Sequence, residues 1–581
     1  SQHNPSNRTI PLHHAMDSLP VSKNEVLLET WRKTLNDEII HSPCKPIRTP
    51  IEPLVFRTMR SLRKHAQLHP QKPAVIDAFN QTRFLTYQQI HDQALSVAAF
   101  LQSRGFSVGD RACTVLANCI EFPVIHLGVW SAGGVFVGSS PAFKHHESVS
   151  QMRDSGSSVV FASEVLLKSV VNAAKECSDV KTIVCIRSSS APLPKNVIDF
   201  QDVINFVPLD EILPEVSMES PCMVYYSSGT TGQPKGVVHT NLTYHTNVEI
   251  LRSHFLDEVY PVLGVNDVDW YQDSQIISTG CFHMLGFGLL NWCLLTGAPV
   301  VMMERLDELA YPKLVDIFKP RYLFVSPPIF AYLSKDPNGR AATLESVQLI
   351  LTSSSPLSQE ISDEFFAHHP NVKYIVQGYG MTETGYSHLP LLTREGATAS
   401  SGVVASGYHQ KIINTTTLLP CPLGEWGEIL VKSPSLTVGY LNKDEETKYL
   451  FDAEGWLHTG DIGYMDDTGS LCIVDRVKEL IKVNYANQTL QVPPAELEGI
   501  LLSTRSIRDV AIVGVPHEAG GELVRAFVVK ADDDLEAEAV ERVITEKLAP
   551  FKRITGGVVF IDAIPRSATG KILRRQLKEI C

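Results

Sequence analysis

A run of glycines, hydroxyl side chains and one lysine is the stretch of sequence best suited to bind phosphate. It comprises Ser227, Ser228, Gly229, Thr230, Thr231, Gly232 and Lys235. Glycines let backbone amides approach an anion without Cβ clashes, while hydroxyls and an ammonium group donate to phosphate oxygens. Lys235 lies between Pro234 and Gly236, so the segment does not match a Walker A loop, which needs Gly-Lys-Ser/Thr. A cluster of such residues is more often a plain surface loop, so the prediction depends on the ordered pattern after an apolar run.

Four further motifs follow in sequence. They are Gly378-Tyr379-Gly380-Met381-Thr382-Glu383, Trp456-Leu457-His458-Thr459-Gly460-Asp461, Asp475-Arg476-Val477-Lys478-Glu479 and Pro565-Arg566-Ser567-Ala568-Thr569-Gly570-Lys571. Any one alone is weak evidence, because Gly-Asp and Gly-Tyr-Gly pairs usually mark turns. In order and composition the five motifs together resemble the adenylate-forming superfamily, which comprises acyl- and aryl-CoA ligases, beetle luciferases and nonribosomal adenylation domains. The resemblance spans about residues 55–581 and looks closest to coumarate:CoA-ligase-like acyl-CoA synthetases.

The resemblance implies an enzyme that joins a carboxylic acid to ATP as an acyl-adenylate and then transfers the acyl group to coenzyme A. Forming the anhydride requires neutralising charge on the phosphates and the leaving pyrophosphate. By resemblance, the loop at 227–235 holds the β- and γ-phosphates, Thr382 touches the α-phosphate, and Glu383 carries Mg²⁺, a cation that prefers oxygen ligands. Lys571 stabilises charge as the anhydride forms. The remaining nucleotide-binding residues implied are Ser354, Gln377, Gly378, Tyr379 (stacked on adenine), Gly380, Met381, and Asp461 with Arg476 at the ribose.

The resemblance also implies a second half-reaction, in which the small C-terminal domain rotates about a hinge at Lys478 and Lys482 serves the new arrangement. Most similar CoA ligases continue the hinge as Ile-Lys-Tyr-Lys-Gly before Gln-Val. Here Asn484-Tyr485 replaces the Lys-Gly pair and further residues precede Gln491. In CoA-forming relatives this loop lines the pantetheine tunnel. Coenzyme A, a carrier protein and another acceptor therefore all stay open.

Two segments predict the acyl side of the site. Residues 282–287 resemble the family's His-centred acyl segment, and a serine triplet stands where relatives have a Gly/Ala-rich triplet. The predicted substrate residues are His283, Met284, Gly286, Phe287, Ser353 and Ser355. A lone histidine is more often a satisfied core residue, but the flanking motif favours a site wall. The serines either narrow the acyl site or repack locally. No fixed cation is evident for a second charged group, which favours fatty, aryl or cinnamoyl acids over amino acids and dicarboxylates.

Composition narrows the class of protein. A length of 581 residues implies two or more domains. The net charge of −13 argues against general nucleic-acid binding. The 11 cysteines are scattered without a CxxC pair, so neither a zinc site nor a disulfide framework is predicted. Gly286 to Met303 is too short and too interrupted to span a membrane. Without a visible secretory signal we expect a cytoplasmic protein; a peroxisomal location stays open, although the C-terminus lacks an SKL-type signal.

The elements that must position these residues follow from hydrophobic patterning. Apolar runs such as 322–325 alternate with helical stretches such as 87–103, which predicts an α/β fold with mostly parallel sheets. We expect an N-terminal extension with one amphipathic helix at 1–50 and a large adenylation domain at 51–475. The latter would hold two mostly parallel sheets with helices and, at about 400–475, a small β-barrel subdomain. A small mobile α+β domain would follow at 476–581.

Four hypotheses are weighed against one another. An acid:CoA ligase using ATP, Mg²⁺ and coenzyme A is the leading one. The second is a standalone adenylating enzyme that loads a carrier protein or another acceptor, and a second copy of the chain also stays open as a partner. A luciferase-like oxygenase is disfavoured because Asn484 replaces a lysine that matters for oxidation in beetle luciferases. A non-catalytic acyl- or nucleotide-binding protein is disfavoured by the intact Lys571, Glu383 and Asp461.

Overall fold

A computed structural model of the chain describes residues 31, 33–35, 37–207, 213–227, 234–352, 359–392, 396–397, 400–485, 488–517, 521–566 and 572–580. Its strands are β1 (Ile40–His41), β2 (Pro73–Asp77), β3 (Phe84–Thr86), β4 (Arg111–Val115), β5 (Val135–Ser139), β6 (Val159–Ser163), β7 (Thr182–Ile186), β8 (Val197–Asp199), β9 (Pro221–Ser227), β10 (Lys235–Thr240), β11 (Gln275–Ile277), β12 (Val300–Met302), β13 (Tyr322–Val325), β14 (Leu349–Thr352), β15 (Tyr374–Gln377), β16 (Tyr379–Met381), β17 (Gly385–Leu389), β18 (Gly396–Ala397), β19 (Val403–Val404), β20 (His409–Ile413), β21 (Gly427–Lys432), β22 (Gly439–Tyr440), β23 (Leu457–Met465), β24 (Leu471–Arg476), β25 (Ile481–Tyr485), β26 (Gln488–Val492), β27 (Ile507–Pro516), β28 (Glu522–Lys530) and β29 (Val558–Phe560).

Helices cover the sheets and link the strands. They are α1 (Leu54–Leu68), α2 (Tyr87–Ser103), α3 (Phe122–Ser131), α4 (His145–Ser155), α5 (Leu167–Ala174), α6 (Phe200–Ile204), α7 (Asn241–His254), α8 (Met284–Thr296), α9 (Ala310–Phe318), α10 (Pro327–Lys335), α11 (Pro337–Arg340), α12 (Gln359–His368), α13 (Asp444–Lys448), α14 (Pro494–Leu502), α15 (Ala537–Lys547) and α16 (Arg574–Glu579). The helix predicted over 87–103 is confirmed. It begins at a capping box in which Thr86 accepts from the Gln89 backbone and the Gln89 side chain accepts in return.

Parallel strands dominate the large N-terminal part, as the continuous apolar runs predict. An eight-stranded sheet has the order β22-β10-β9-β5-β4-β6-β7-β8, in which β10 runs antiparallel to β22 and β9 and the other neighbouring pairs are parallel. The second predicted sheet is divided into two four-stranded sheets, β11-β12-β2-β3 and β13-β14-β15-β18. Strands such as β13 are buried along their whole length, because helices or other layers cover both faces.

The β subdomain is a five-stranded antiparallel sheet with the order β1-β20-β21-β23-β24. Within the described strands it is open rather than a closed barrel, because its edge strands β1 and β24 are not paired with each other. The preceding segment also packs here. Trp31 and Leu35 are buried, and the Trp31 ring lies so close to Gly469 that a Cβ there would be 2.2 Å from it.

The predicted N-terminal amphipathic helix falls mostly outside the described residues. Trp31 is helical, but residues 33–35 form a turn. The indole Nε1 of Trp31 donates to the His41 carbonyl at 2.7 Å, which folds the chain back so that β1 can pair with β20. The first 50 residues therefore contribute a strand to the β subdomain.

The C-terminal part is a small α+β unit. Strands β27, β28 and β29 form one sheet and β25 with β26 a hairpin, with α14, α15 and α16 alongside. Its apolar core is separate from that of the large part. The ten cysteines that the structure describes are all free, and seven of them are buried. Within the described ranges, no helix combines the length and apolar character needed to cross a bilayer.

Candidate active site

The phosphate-loop motif sits at the tip of an antiparallel hairpin. Strand β9 ends at Ser227 and β10 begins at Lys235, and these two residues are directly paired. The loop residues Ser228, Gly229, Thr230, Thr231 and Gly232 lie outside the described residues. Lys235 is half-buried, with its ammonium 4.8 Å from the ring centroid of Tyr440 on β22, the strand that pairs with β10. The aromatic face stabilises the positive charge.

The motif from Gly378 to Glu383, which the resemblance assigns to adenine and the metal, forms a second tight turn. Gln377 ends β15 and is buried, Gly378 follows it, and β16 carries Tyr379, Gly380 and Met381. Gly380 has to be glycine, because a Cβ there would lie 1.8 Å from the carbonyl oxygen of Gly385. That close approach lets β16 and β17 bracket Thr382 and Glu383 in a short turn.

Three consecutive backbone carbonyls in this turn are each bound by a different element. The Thr382 oxygen accepts from Nε2 of His239 on β10 at 2.8 Å. The Glu383 oxygen accepts from the backbone amide of Thr437 at 2.8 Å. The Thr384 oxygen accepts from the hydroxyl of Tyr408. With their carbonyls fixed, Thr382 and Glu383 hold a defined backbone position.

Glu383 itself is a buried carboxyl. Its Oε1 accepts from the Tyr440 hydroxyl at 2.9 Å. Burial raises the pKa of Glu383 and also that of Tyr440, which keeps the phenol protonated as a donor. Tyr440 thus contacts both Lys235 and Glu383, two residues assigned to different motifs. Sequence reasoning missed Tyr440, since no motif marked it and its position depends on the long-range pairing of β22 with β10.

The motif from Trp456 to Asp461, which the resemblance assigns to the ribose, contacts the motif from Gly378 to Glu383. Asp461 on β23 is paired with Arg476 on β24, and the Arg476 Nε lies 2.9 Å from Asp461 Oδ1. The Tyr379 hydroxyl donates to Asp461 Oδ2 at 2.6 Å. Both oxygens of this buried carboxylate are therefore held, each with a lone pair left to accept from a ligand hydroxyl.

The predicted acyl residues occupy the start of α8. His283 is its N-cap residue, in contact with the Phe282 ring at 4.5 Å, and burial lowers its pKa to about 4, so the ring is neutral. Gly286 lies against the backbone, because a Cβ there would be 2.6 Å from the carbonyl oxygens of Thr279 and Gly280. Met284 is half-buried.

Phe287 is fully buried in an aromatic cluster. Its ring stacks on Phe136 at 5.2 Å and contacts the rings of Phe122, His126, Trp130, Tyr225 and Tyr244. Protein side chains surround it on several sides, and its predicted role as an acyl-site wall stays a prediction. Ser353, Ser354 and Ser355 lie outside the described residues.

The hinge motif joins the two parts of the chain. The Asp475 carboxylate accepts from the backbone amides of Arg476 at 2.7 Å and of Ala495, at the start of α14, at 2.9 Å. Burial raises the pKa of Asp475 to about 6. Lys478 lies in the turn after β24, and Lys482 is on β25, where its amide donates to Glu522.

The hinge loop that departs from relatives is an extended hairpin. Asn484 pairs with Thr489 and Tyr485 with Gln488 across β25 and β26. Lys571 lies outside the described residues. A bridge between Arg566 and Ile572 joins the two sides of its loop.

Taken together, fold and site define a nucleotide-binding α/β enzyme with a large N-terminal and a small C-terminal part. The family model for AMP-binding enzymes matches residues 62–441, and the model for the AMP-binding enzyme C-terminal domain matches residues 496–571. The chain therefore belongs to the AMP-binding enzyme family, the adenylate-forming group that its motifs resemble.

Curated relatives extend over nearly the whole chain. A 4-coumarate–CoA ligase 2 from Oryza sativa subsp. japonica is 34% identical over 529 residues, covering 88% of this chain and 90% of that protein. A 4-coumarate–CoA ligase 1 from Petroselinum crispum is 32% identical over 558 residues, covering 91% of this chain and 97% of that protein.

Solved structures share the fold at lower identity. An anthranilate CoA ligase, AuaEII, in complex with anthranoyl-AMP has a TM-score of 0.79 at 22% identity, covering 92% of this chain and 99% of that one. A benzoate CoA ligase from Burkholderia xenovorans has a TM-score of 0.76 at 24% identity, covering 91% and 100%. The amide bond synthetase McbA from Marinactinospora thermotolerans has a TM-score of 0.75 at 21% identity, covering 90% and 99%.

Proposed function

We propose that this chain is an acid:CoA ligase that forms an acyl-adenylate from a carboxylic acid and ATP, releases pyrophosphate, and then makes an acyl-CoA and AMP. The observation that carries the proposal is the convergence of distant motifs. Lys235 and Glu383 both contact Tyr440, and Tyr379 and Arg476 both hold Asp461. A chance set of turns would not be joined by buried side chains in this way. The names of the curated relatives support coenzyme A as the acceptor.

Magnesium suits the donor set around Glu383. No group of three or more His, Cys, Asp or Glu side chains able to hold a metal occurs in the described part of the chain. A single buried carboxylate is instead what an ion needs when phosphates and water supply the other oxygens, as is common for Mg²⁺. When bound, Mg²⁺ would supply positive charge to the phosphate oxygens. Burial disfavours the charged form of Glu383, and a nearby cation offsets that cost.

The residues of the chain divide the adenylation step among them. The carboxylate oxygen of the acid attacks the α-phosphorus, and the bond to the bridging oxygen of pyrophosphate breaks. Asp461 anchors the ribose hydroxyls, Tyr379 stacks on adenine, and Lys235 with the loop at 227–232 takes up charge on the leaving pyrophosphate. Lys571 bridges the acid and the α-phosphate. In the second step the thiol sulfur attacks the acyl carbon, AMP leaves with the bonding electron pair, and the thiol proton is released.

The acid is an apolar monocarboxylic acid of fatty, aryl or cinnamoyl type. A neutral His283 and the thioether of Met284 favour an uncharged acyl body, since burial disfavours a positive charge on the ring. The names of the curated relatives, 4-coumarate–CoA ligases, support testing acids of the coumaric type first.

A second acceptor is favoured by one observation: the segment that departs from the family's sequence pattern at the hinge forms the β25–β26 hairpin. An adenylating enzyme that passes its acyl group to a carrier protein or an amine would need a different surface there from a CoA ligase. Adenylation is common to both candidates, and only the second half-reaction distinguishes them.

The test is release of pyrophosphate and AMP from Mg·ATP with a panel of fatty, cinnamic and benzoic acids, each with and without coenzyme A. Acid-dependent pyrophosphate release, with AMP and thioester formed only when coenzyme A is present, is the expected result. Release that stops at enzyme-bound adenylate despite coenzyme A would favour the second acceptor. No acid-dependent release with any acid of the three classes would refute the proposed substrate class.

A further inference from the structure

We propose that His239 is a positioning residue for adenylation, which holds the Thr382–Glu383 turn in register with the phosphate-binding strand. The inference rests on the proposed function of the site. In this role the buried His239 acts through the backbone of the residues assigned to the α-phosphate and Mg²⁺.

The hydrogen bonds of His239 fix its tautomer. The ring is fully buried, with Nε2 2.8 Å from the Thr382 carbonyl oxygen and Nδ1 3.1 Å from Oγ1 of Thr243. A carbonyl oxygen only accepts, so Nε2 carries the hydrogen. Nδ1 is then the acceptor and receives the Thr243 hydroxyl hydrogen. Burial lowers the pKa of His239 to about 4, so this donor–acceptor pattern persists at neutral pH.

The position of His239 on β10 explains why its hydrogen bond to Thr382 matters for the phosphate-binding residues. Lys235 and His239 lie four residues apart on one strand, so their side chains leave the same face. Lys235 reaches the phosphate end of the site, whereas His239 reaches the turn that carries Thr382 and Glu383. Because His239 joins β10 to this turn, a shift of β10 would move Lys235 and the turn together. The distance between Lys235 and Thr382, the two groups assigned to phosphates, would be preserved.

The neighbouring carbonyl bonds come from elsewhere. The Glu383 carbonyl is bound by Thr437 and the Thr384 carbonyl by Tyr408, neither of which belongs to β10. Of these three bonds, only the His239 bond is made by a residue of the strand that bears Lys235. Thr437 is linked to that strand at one remove, because its hydroxyl donates to the Val238 carbonyl at 2.6 Å.

Two substitutions separate positioning from packing. In His239→Gln the amide nitrogen can take the place of Nε2 and donate to Thr382. In His239→Asn the shorter side chain mimics Nδ1 and does not reach the carbonyl. Both remove the ring, and Asn also leaves the Thr382 carbonyl without this donor, so the melting temperature should fall in both and further in Asn.

The measurements are the Kd of MgATP by calorimetry, kcat in acid-dependent ATP–pyrophosphate exchange, and the melting temperature. We expect His239→Asn to lower kcat about tenfold and to weaken MgATP binding by a similar factor, with His239→Gln within about threefold of the unmodified protein. If the Asn and Gln variants show equal kcat and equal Kd, the positioning role is wrong and His239 serves the core only.

The calorimetric arm does not require the acid, so it tests His239 even if no acid of the panel is turned over. Failure of the proposed function would appear in the unmodified protein, whereas failure of this inference would appear only between the two variants. Should His239→Asn fail to fold, Thr243→Val compared with Thr243→Ser removes the hydroxyl that orients the ring. A weaker MgATP affinity in Val than in Ser supports the inference, and equal affinity overturns it.

Discussion

Replacing Asp461 by asparagine isolates the contribution of one carboxylate oxygen to nucleotide binding. Both oxygens of Asp461 are already engaged, Oδ1 by the Arg476 Nε and Oδ2 by the Tyr379 hydroxyl. In Asp461→Asn the remaining oxygen must face Arg476, because that group only donates. The amide nitrogen then faces Tyr379, whose hydroxyl can accept. The protein keeps its internal hydrogen bonds, and the ribose loses one acceptor.

The size of the effect follows from that loss. A hydrogen bond to a charged group contributes about 1.5–3 kcal/mol, and about 1.4 kcal/mol corresponds to a tenfold change in affinity. The KM for MgATP should therefore rise about 10- to 100-fold in Asp461→Asn. The ribose is remote from the bond that forms, so kcat at saturating ATP should stay within about threefold.

The assay is acid-dependent ATP–pyrophosphate exchange at varied MgATP, with the melting temperature as a check on folding. Tyr379→Phe is the matched control: it removes a hydrogen bond present with and without nucleotide, keeps the ring for stacking, and should change KM by less than about threefold. A KM for Asp461→Asn within about twofold of the unmodified value, in a folded protein, would show that Asp461 does not hold the ribose.

Three other changes test separate parts of the site. Lys571→Ala should lower kcat for adenylation about 100- to 1,000-fold with little change in the KM for MgATP, since it removes charge stabilisation in the transition state; an unchanged exchange rate would contradict that role. Glu383→Gln keeps an acceptor for Tyr440 but loses the negative charge. The free Mg²⁺ concentration for half-maximal exchange should therefore rise about tenfold. If that concentration is unchanged, Glu383 does not bind the ion. Burial raises the pKa of Asp475 from 3.8 to about 6, so the folded state holds its proton more tightly than the unfolded state. The free energy of unfolding should therefore fall as pH rises from about 4 to about 6. Melting curves of Asp475→Asn across that range should lack this fall. If the melting temperatures of the two proteins change with pH in parallel, Asp475 does not cause it.

The sequence predicted the parts of the fold that depend on local pattern. Buried strands such as β13 were predicted because a continuous apolar run suits a strand covered on both faces, and α2 was predicted from the helical pattern of residues 87–103. Its motifs predicted Tyr379 and Asp461 as parts of one site, and in the structure they are hydrogen-bonded.

Residues whose positions depend on long-range pairing were not predictable in this way. Tyr440 enters the site only because β22 pairs with β10, from which it is separated by about two hundred residues of chain. His239 looked like any apolar-strand histidine, because nothing local shows which carbonyl its ring will meet. Phe287 illustrates the converse: a phenylalanine beside a site and one within the core look the same in sequence, and its neighbours become known only from packing.

The N-terminal strand determines how far the chain can be shortened. Strand β1 covers the backbone edge of β20, and Trp31 fills a space above Gly469. Trimming past residue 41 would leave the edge of β20 at His409 and Gln410 open to a strand from another molecule, and would uncover the apolar surface beneath the indole. Tags, fusions and truncations are therefore best placed before Trp31, since the self-association that an open edge invites would otherwise compete with every binding measurement on the site.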